Sequence, residues 1–192
     1  MLATVLVGVL LVGNAGAKPP APDMLHVRGA DIVDGKGRPV VLRGVAFGND
    51  VWTNTRLPRW HHAETDYQRV AAMGMNAVRF YMNFRTFEAE VAPGKYLDDG
   101  WQWLDDNIAW AKRHGVYLIL NMHVPPGGFQ SNGSGKALWD RPEMQQRLIA
   151  LWAAIAVHSL ISRSCMSGRS HSALPAPSDW KPPGGTCMFS TR

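Results

Sequence analysis

Cysteine is almost missing from this sequence. There are two in 192 residues, Cys165 and Cys187, both near the carboxyl terminus. Neither has Cys or His neighbours at zinc spacing, and the part of the chain with folding character does not rely on a disulfide. In an exported chain, a bond between the two and a pair of free thiols remain equally open. A membrane-length apolar run is also missing: Leu2 to Val12 falls well short of the ~20 residues a span needs. So is a block of like charge. The formal net charge is +5, but beyond residue 158 Arg163, Arg169, Lys181 and Arg192 face Asp179 alone. Elsewhere acids and bases are interspersed, which describes a solvated surface and argues against nucleic acid as a partner. His61-His62 with Glu64 is too loose a set for a metal, so no metal and no cofactor are expected.

What is present begins with an export signal. Ala15-Gly16-Ala17 fits a small-residue cleavage site after the apolar segment, and Lys18-Pro19-Pro20-Ala21-Pro22 reads as an extended linker. Basic residues are missing ahead of the apolar run, so only the amino terminus supplies charge there. The expectation is a signal peptide over 1–17, a Pro-rich linker over 18–24 and a secreted chain, extracellular or periplasmic, with no stable membrane span after cleavage.

Hydrophobic residues make up 46% of the chain, a globular composition. Val116-Tyr117-Leu118-Ile119-Leu120 follows Gly115 and reads as a strand buried on both faces. It turns polar at Asn121 and His123 and breaks at Pro125-Pro126-Gly127-Gly128. Ahead of it, Trp101–His114 has helical spacing, with acids early and Lys112-Arg113 late, as the helix dipole prefers. The same helix–Gly–strand pattern occurs earlier, from Glu64 to Met73, then Gly74, then Met75 to Tyr81. Leu42 to Phe47 reads as a strand interrupted by Gly44. Ile32-Val33 and Val40-Val41-Leu42, separated by Asp34-Gly35-Lys36-Gly37, carry a hairpin signal. A further helix is expected from Pro142 through Ile155. The repeat of roughly 40 residues is the period of a (β/α)8 barrel of about 250 residues. The expected fold is therefore α/β: a partial (β/α)8 TIM barrel over 25–157, about three βα units preceded by a β-hairpin, and truncated. From 158 to 192 no periodicity survives, and the tail reads as disordered or as an out-of-frame translation. Three units would leave edge strands exposed and the fold marginal.

Leu42-Arg43-Gly44-Val45, Gly74-Met75-Asn76-Ala77-Val78-Arg79, the stretch from Gly115 to His123, and Leu151-Trp152-Ala153-Ala154-Ile155-Ala156, in this order, resemble the amino-terminal part of glycoside hydrolase family 5, the cellulase-like enzymes. The resemblance implies hydrolysis of β-glycosidic bonds in a polysaccharide, with retention. It implies that Arg79 lies beside a nucleophilic carboxylate and helps keep it ionised, and that His123 hydrogen-bonds the sugar at the scissile bond. The family's acid/base glutamate follows an asparagine after strand four, and its nucleophile follows strand seven. This sequence has no Asn-Glu pair, and its four glutamates are Glu64, Glu88, Glu90 and Glu143. Glu64 and Glu143 fall at helix starts, and Glu88 and Glu90 in the loop after the second strand of the repeat. No catalytic residue is therefore assigned, and the chain is expected not to cleave alone.

For a polysaccharide or oligosaccharide ligand the candidate residues are Arg79, His123, Asn121, Trp52 and Trp139. Trp52, Trp60 and Trp139 fall in loops after strands, where an indole face can stack on a sugar; Trp103, Trp110 and Trp152 fall in helices and read as core, and Trp101 stays open. The Gly-rich stretch from Gly127 to Lys136 has the context of a phosphate loop. Gln130 stands where its first glycine belongs, and Ala137 where its Ser or Thr belongs. It is read as a substrate loop instead. A carbohydrate-binding protein without catalysis is the alternative to the enzyme reading.

Overall fold

A computed structural model describes residues 24–53, 55–129 and 133–165, with side chains through Ser159. The expected signal peptide, most of the linker, and the tail beyond 165 lie outside the described residues.

Gly74 and Gly115 adopt φ of 73° and 68°, the left-handed conformation that closes a helix cheaply only at glycine. Each ends a helix and releases a strand. Helix α1 (Glu64–Ala72) leads to β4 (Ala77–Asn83), and α3 (Asp98–Arg113) leads to β5 (Tyr117–Val124). With β3 (Gly44–Phe47) these strands form a parallel sheet in the order β3-β4-β5. The short α2 (Phe84–Phe87) follows β4, and α5 (Pro142–Cys165) completes the third unit. The described residues are thus three βα units of a (β/α)8 barrel, with no closed barrel among them.

Strand alternation divides the sheet into two faces. Val78, Phe80 and Met82 of β4 join Phe47, Trp103, Leu104, Val116, Met122, Leu151 and Ile155 in the core beneath the helices. Arg79 and Tyr81 take the other face, level with Ile119 and Asn121 of β5. That face would be the interior of a closed barrel; here Ala46 on it is exposed and Arg79, Tyr81 and Ile119 are half-buried.

The structure departs from expectation in several places. The regular hairpin is β1 (His26–Arg28) with β2 (Asp31–Val33), turning at Gly29. The Asp34–Gly37 turn does form: the Asp34 carbonyl accepts from Gly37 N at 2.9 Å, and the Asp34 carboxylate accepts from Arg38 N at 2.9 Å and from Arg38 Nε at 2.8 Å. These bonds hold the Asp34 carboxyl down at about 2. Beyond the turn only a single bridge, Val33 to Pro39, is made, because proline brings no N–H to extend a ladder. Strand β3 begins at Gly44 rather than Leu42. An unexpected helix, α4 (Lys136–Asp140), precedes α5. The two are separated by Arg141, extended at φ −125°, ψ 107°, the conformation imposed on a residue before proline. Helix α5 also continues past His158 to Cys165. Trp101 sits inside α3 and stacks on His158 at 4.7 Å.

Candidate functional site

Polar and aromatic side chains gather at the carboxyl ends of the three parallel strands, where open and closed α/β folds place their ligands. Strand β5 carries one more residue than β4 at this end: Met82 pairs with Met122 and Asn83 with Val124, so His123 is the supernumerary residue of a bulge. Bulges re-aim side chains. The His123 imidazole lies flat on the Tyr81 ring, centroids 4.2 Å apart at 10°. Trp52, from the loop after β3, meets both edge-on, 5.8 Å from Tyr81 and 5.4 Å from His123. Trp52 is 59% exposed, so the cluster opens to solvent. The Arg79 guanidinium carbon lies 5.0 Å from the Tyr81 centroid, a cation–π distance. Asn121 is buried, and its Oδ1 faces His123 Nδ1 at 3.3 Å.

A second layer fixes this one. Asn49 and Asp50 follow β3 with φ of 48° and 51°, and the buried Asn49 donates from Nδ2 to the Tyr81 carbonyl at 2.8 Å. Its Oδ1 accepts from His62 Nδ1 at 2.9 Å, and His62 stacks on Phe47 at 3.9 Å and 4°. His62 is thus half-buried rather than a surface residue. Burial first, then the neighbouring His61, pushes it down to about 4, against a smaller opposing pull from Asp66. The rest of the β3 loop is anchored by the Arg56 guanidinium, which forks onto the Asp99 carboxylate at the start of α3, and by the Thr86 hydroxyl, which donates to Arg56 O at 2.7 Å.

Burial, and secondarily the charge of Arg79, lower the pKa of His123. Imidazole is therefore neutral at neutral pH, and with Nδ1–H turned to Asn121 its Nε2 is an acceptor for a sugar hydroxyl. Substituting Arg79→Gln should raise the His123 pKa without restoring its ordinary value, since burial remains. Titration of the His123 ring protons by NMR measures this, and an unchanged midpoint would remove Arg79 from the site's electrostatics.

The sequence places Arg79 at a strand end; the structure puts it at the third position of β4, below Tyr81. Trp52, Arg79, Asn121 and His123 converge. Trp139 is on α4 rather than in a loop, 70% exposed, and takes no part in the three-ring cluster. Tyr81 and Asn49 were not among the sequence candidates. Two-residue spacing from Arg79 was the available signal for Tyr81. Glu88 lies in the segment after β4, beyond α2, and is buried there: it is 2% exposed and pairs with Arg147 Nε at 2.7 Å. Glu90 pairs with Arg85 at 2.8 Å, and Glu64 with Arg113 at 3.0 Å. Asp50 is the carboxylate beside the β3 end, and its Oδ2 accepts from the Thr53 hydroxyl at 2.8 Å. Among the described residues no three His, Cys, Asp or Glu cluster as metal ligands, and no helix is long and apolar enough to cross a membrane.

A segment of (β/α)8 barrel with rings, an imidazole and a guanidinium at its strand ends defines an α/β protein of barrel type. The comparison with known families is specific: residues 33–158 match the model for cellulase, glycosyl hydrolase family 5, and the chain belongs to that family. The β-xylosidase of Phanerodontia chrysosporium is 27% identical over 172 residues, covering 70% of this chain and 36% of that protein. Endoglucanase C of Acetivibrio thermocellus is 28% identical over 93 residues, 48% of this chain and 27% of that protein. Among solved structures, an endogalactoceramidase superposes with a TM-score of 0.54 at 21% identity, covering 70% of this chain and 40% of its own. Endo-glycoceramidase II from Rhodococcus sp., solved as a lactosyl-enzyme intermediate, gives 0.54 at 22%, covering 71% and 39%. The structural likeness concerns the fold. This chain spans little more than a third of the length of the β-xylosidase.

Proposed function

We propose that the strand-end face binds an oligosaccharide or polysaccharide, as the amino-terminal share of a glycosidase site that hydrolyses β-glycosidic bonds with retention. The observation that carries this reading is the exposed Trp52–Tyr81–His123 cluster above Arg79. Aromatic faces pack on the C–H face of a pyranose, and the neutral imidazole and the amide of Asn121 address its hydroxyls. Export, proposed from Ala15-Gly16-Ala17, would bring the chain to such polymers.

Cleavage is a separate matter. Retention needs two carboxyl groups about 5–5.5 Å apart, one ionised and one protonated. Glu64, Glu88 and Glu90 are engaged by Arg113, Arg147 and Arg85, and Glu143 lies in the first turn of α5. Taken alone, this chain works as a carbohydrate-binding protein without turnover.

Incubating the purified full chain with cellulose or mannan tests both statements. Retention on the polymer without release of reducing ends is expected. Release would overturn the inactivity, and no retention on either polymer would overturn the sugar site. Trp52→Ala and Tyr81→Ala should each weaken binding by about 1 kcal/mol, roughly fivefold, as the loss of one aromatic contact does. Isothermal titration with a soluble oligosaccharide reads this effect.

A further inference from the structure

Beside the ring cluster the molecule holds a cavity of about 560 Å³, in the range of small-ligand sites. It begins where the cluster ends. Thr53 follows Trp52, Asn83 lies two residues beyond Tyr81, and Val124 follows His123; all three line it. Its far wall is made by α4 and α5. Gly127 and Gly128, at φ of 96° and 99°, bring the loop after β5 so close to α4 that a Cβ at Gly127 would stand 2.5 Å from Leu138 N. At this part of the wall backbone packs on backbone.

Its charge is unusual for a sugar site. Arg85, Arg141 and Arg147 line it, against Glu90 as the lining carboxylate. Arg147 is turned to the buried Glu88, and Arg85 to Glu90. Arg141 has no ion-pair partner among the described residues and is exposed. It is held at the cavity by the α4–α5 junction, where its own backbone N–H donates to Ala137 O at 3.1 Å and its extended conformation is set by Pro142. Among the described residues one guanidinium of this wall is thus left without a carboxylate, across the cavity from the strand-end residues Asn83 and Val124. A guanidinium matches a planar carboxylate bidentately.

We propose that this cavity is a subsite for an acidic sugar unit, a uronate whose carboxylate pairs with Arg141 while a neighbouring neutral unit lies on the Trp52–Tyr81–His123 rings. The proposal rests on the sugar-binding reading above and adds a substrate class to it, a glycan carrying carboxylates. With Glu90 on Arg85 and Glu88 on Arg147, the wall has one guanidinium to offer, which matches a single carboxylate.

Calorimetric titration of the full chain with a neutral oligosaccharide and with a uronate-bearing one of the same length tests the proposal. The acidic ligand should bind about tenfold tighter at low salt, the effect of one charge-assisted pair, with the advantage shrinking as salt rises. Arg141→Gln should erase that preference, bringing the acidic ligand's affinity down to that of the neutral one. Glu90→Gln should enlarge the preference, a gain that misfolding cannot imitate. Equal affinity for the two ligands in the wild type, or a preference untouched by Arg141→Gln, would overturn the acidic subsite while leaving the neutral sugar site standing. Binding of neither ligand would overturn both.

Discussion

Replacing Arg147 by methionine should lower the stability of the folded chain by about 3–5 kcal/mol, the usual cost of stranding one partner of a buried ion pair. The reason lies in how completely the pair is committed. Side-chain exposure is 10% for Arg147 and 2% for Glu88, with Nε and Oε2 at 2.7 Å. The guanidinium also donates to Ala89 O at 3.0 Å and Glu90 O at 3.2 Å and covers the Phe84 ring at 5.0 Å. The other carboxylate oxygen of Glu88 accepts from Gly94 N at 2.5 Å. The pair therefore sews α5 to the whole segment after β4. Methionine preserves much of the side-chain volume and leaves a dry carboxylate without its counter-charge. Pairing the substitution with Glu88→Gln should recover part of the loss, because the stranded charge goes with it. Urea midpoints for the two single variants and the double variant measure the coupling. A near-additive cycle would show that the ion pair contributes little.

Gly44→Ala should cost about 1–3 kcal/mol or more, and should weaken sugar binding as well. A Cβ at Gly44 would sit 1.8 Å from the Ala77 carbonyl oxygen. The Gly44 Cα that would carry it and the Ala77 carbonyl both belong to paired backbone, Gly44 being in register with Ala77, so neither can swing aside. The seam between β3 and β4 must open instead. That seam carries the Asn49–Tyr81 tether at 2.8 Å, which ties the Trp52 loop to the ring cluster. Gly74 is the control. A Cβ there would meet nothing within 4 Å, and its φ of 73° alone sets the penalty, about 1 kcal/mol. A thermal midpoint falling further for Gly44→Ala than for Gly74→Ala is expected. The same fall for both would mean that backbone conformation, and not the close approach, governs position 44.

The sequence announced its fold where the signal was local. Gly74 and Gly115 each close a helix and open a buried strand, and both do so in the structure. The polar residues Asn121 and His123 at the end of an otherwise apolar run marked the strand end. What escaped was non-local or easily mistaken. Tyr81 in an apolar strand reads as core, and only its spacing from Arg79 places it on the open face. The burial of Glu88 in its loop went unread because the arginine that pairs with it lies 59 positions away. Helix α4 is five residues long and follows a Gly-rich stretch, too short for periodicity to announce, and it carried Trp139 out of the expected loop. The wall of the cavity beside the rings is drawn from β4, the loop after β5, α4 and α5 together, so no single segment could reveal it.

His123 occupies the one position of β5 that the ladder does not count. Its backbone is surplus to the pairing, so the side chain there is held by what it touches rather than by what it supports. Such a position works as a socket: the group plugged into it can be exchanged at small cost to the scaffold, whereas removing the residue would set Met122 and Val124 side by side opposite Met82 and Asn83, a regular ladder with no socket left. The chemistry at the sheet's tip is in this sense replaceable, while the count of residues that presents it is not.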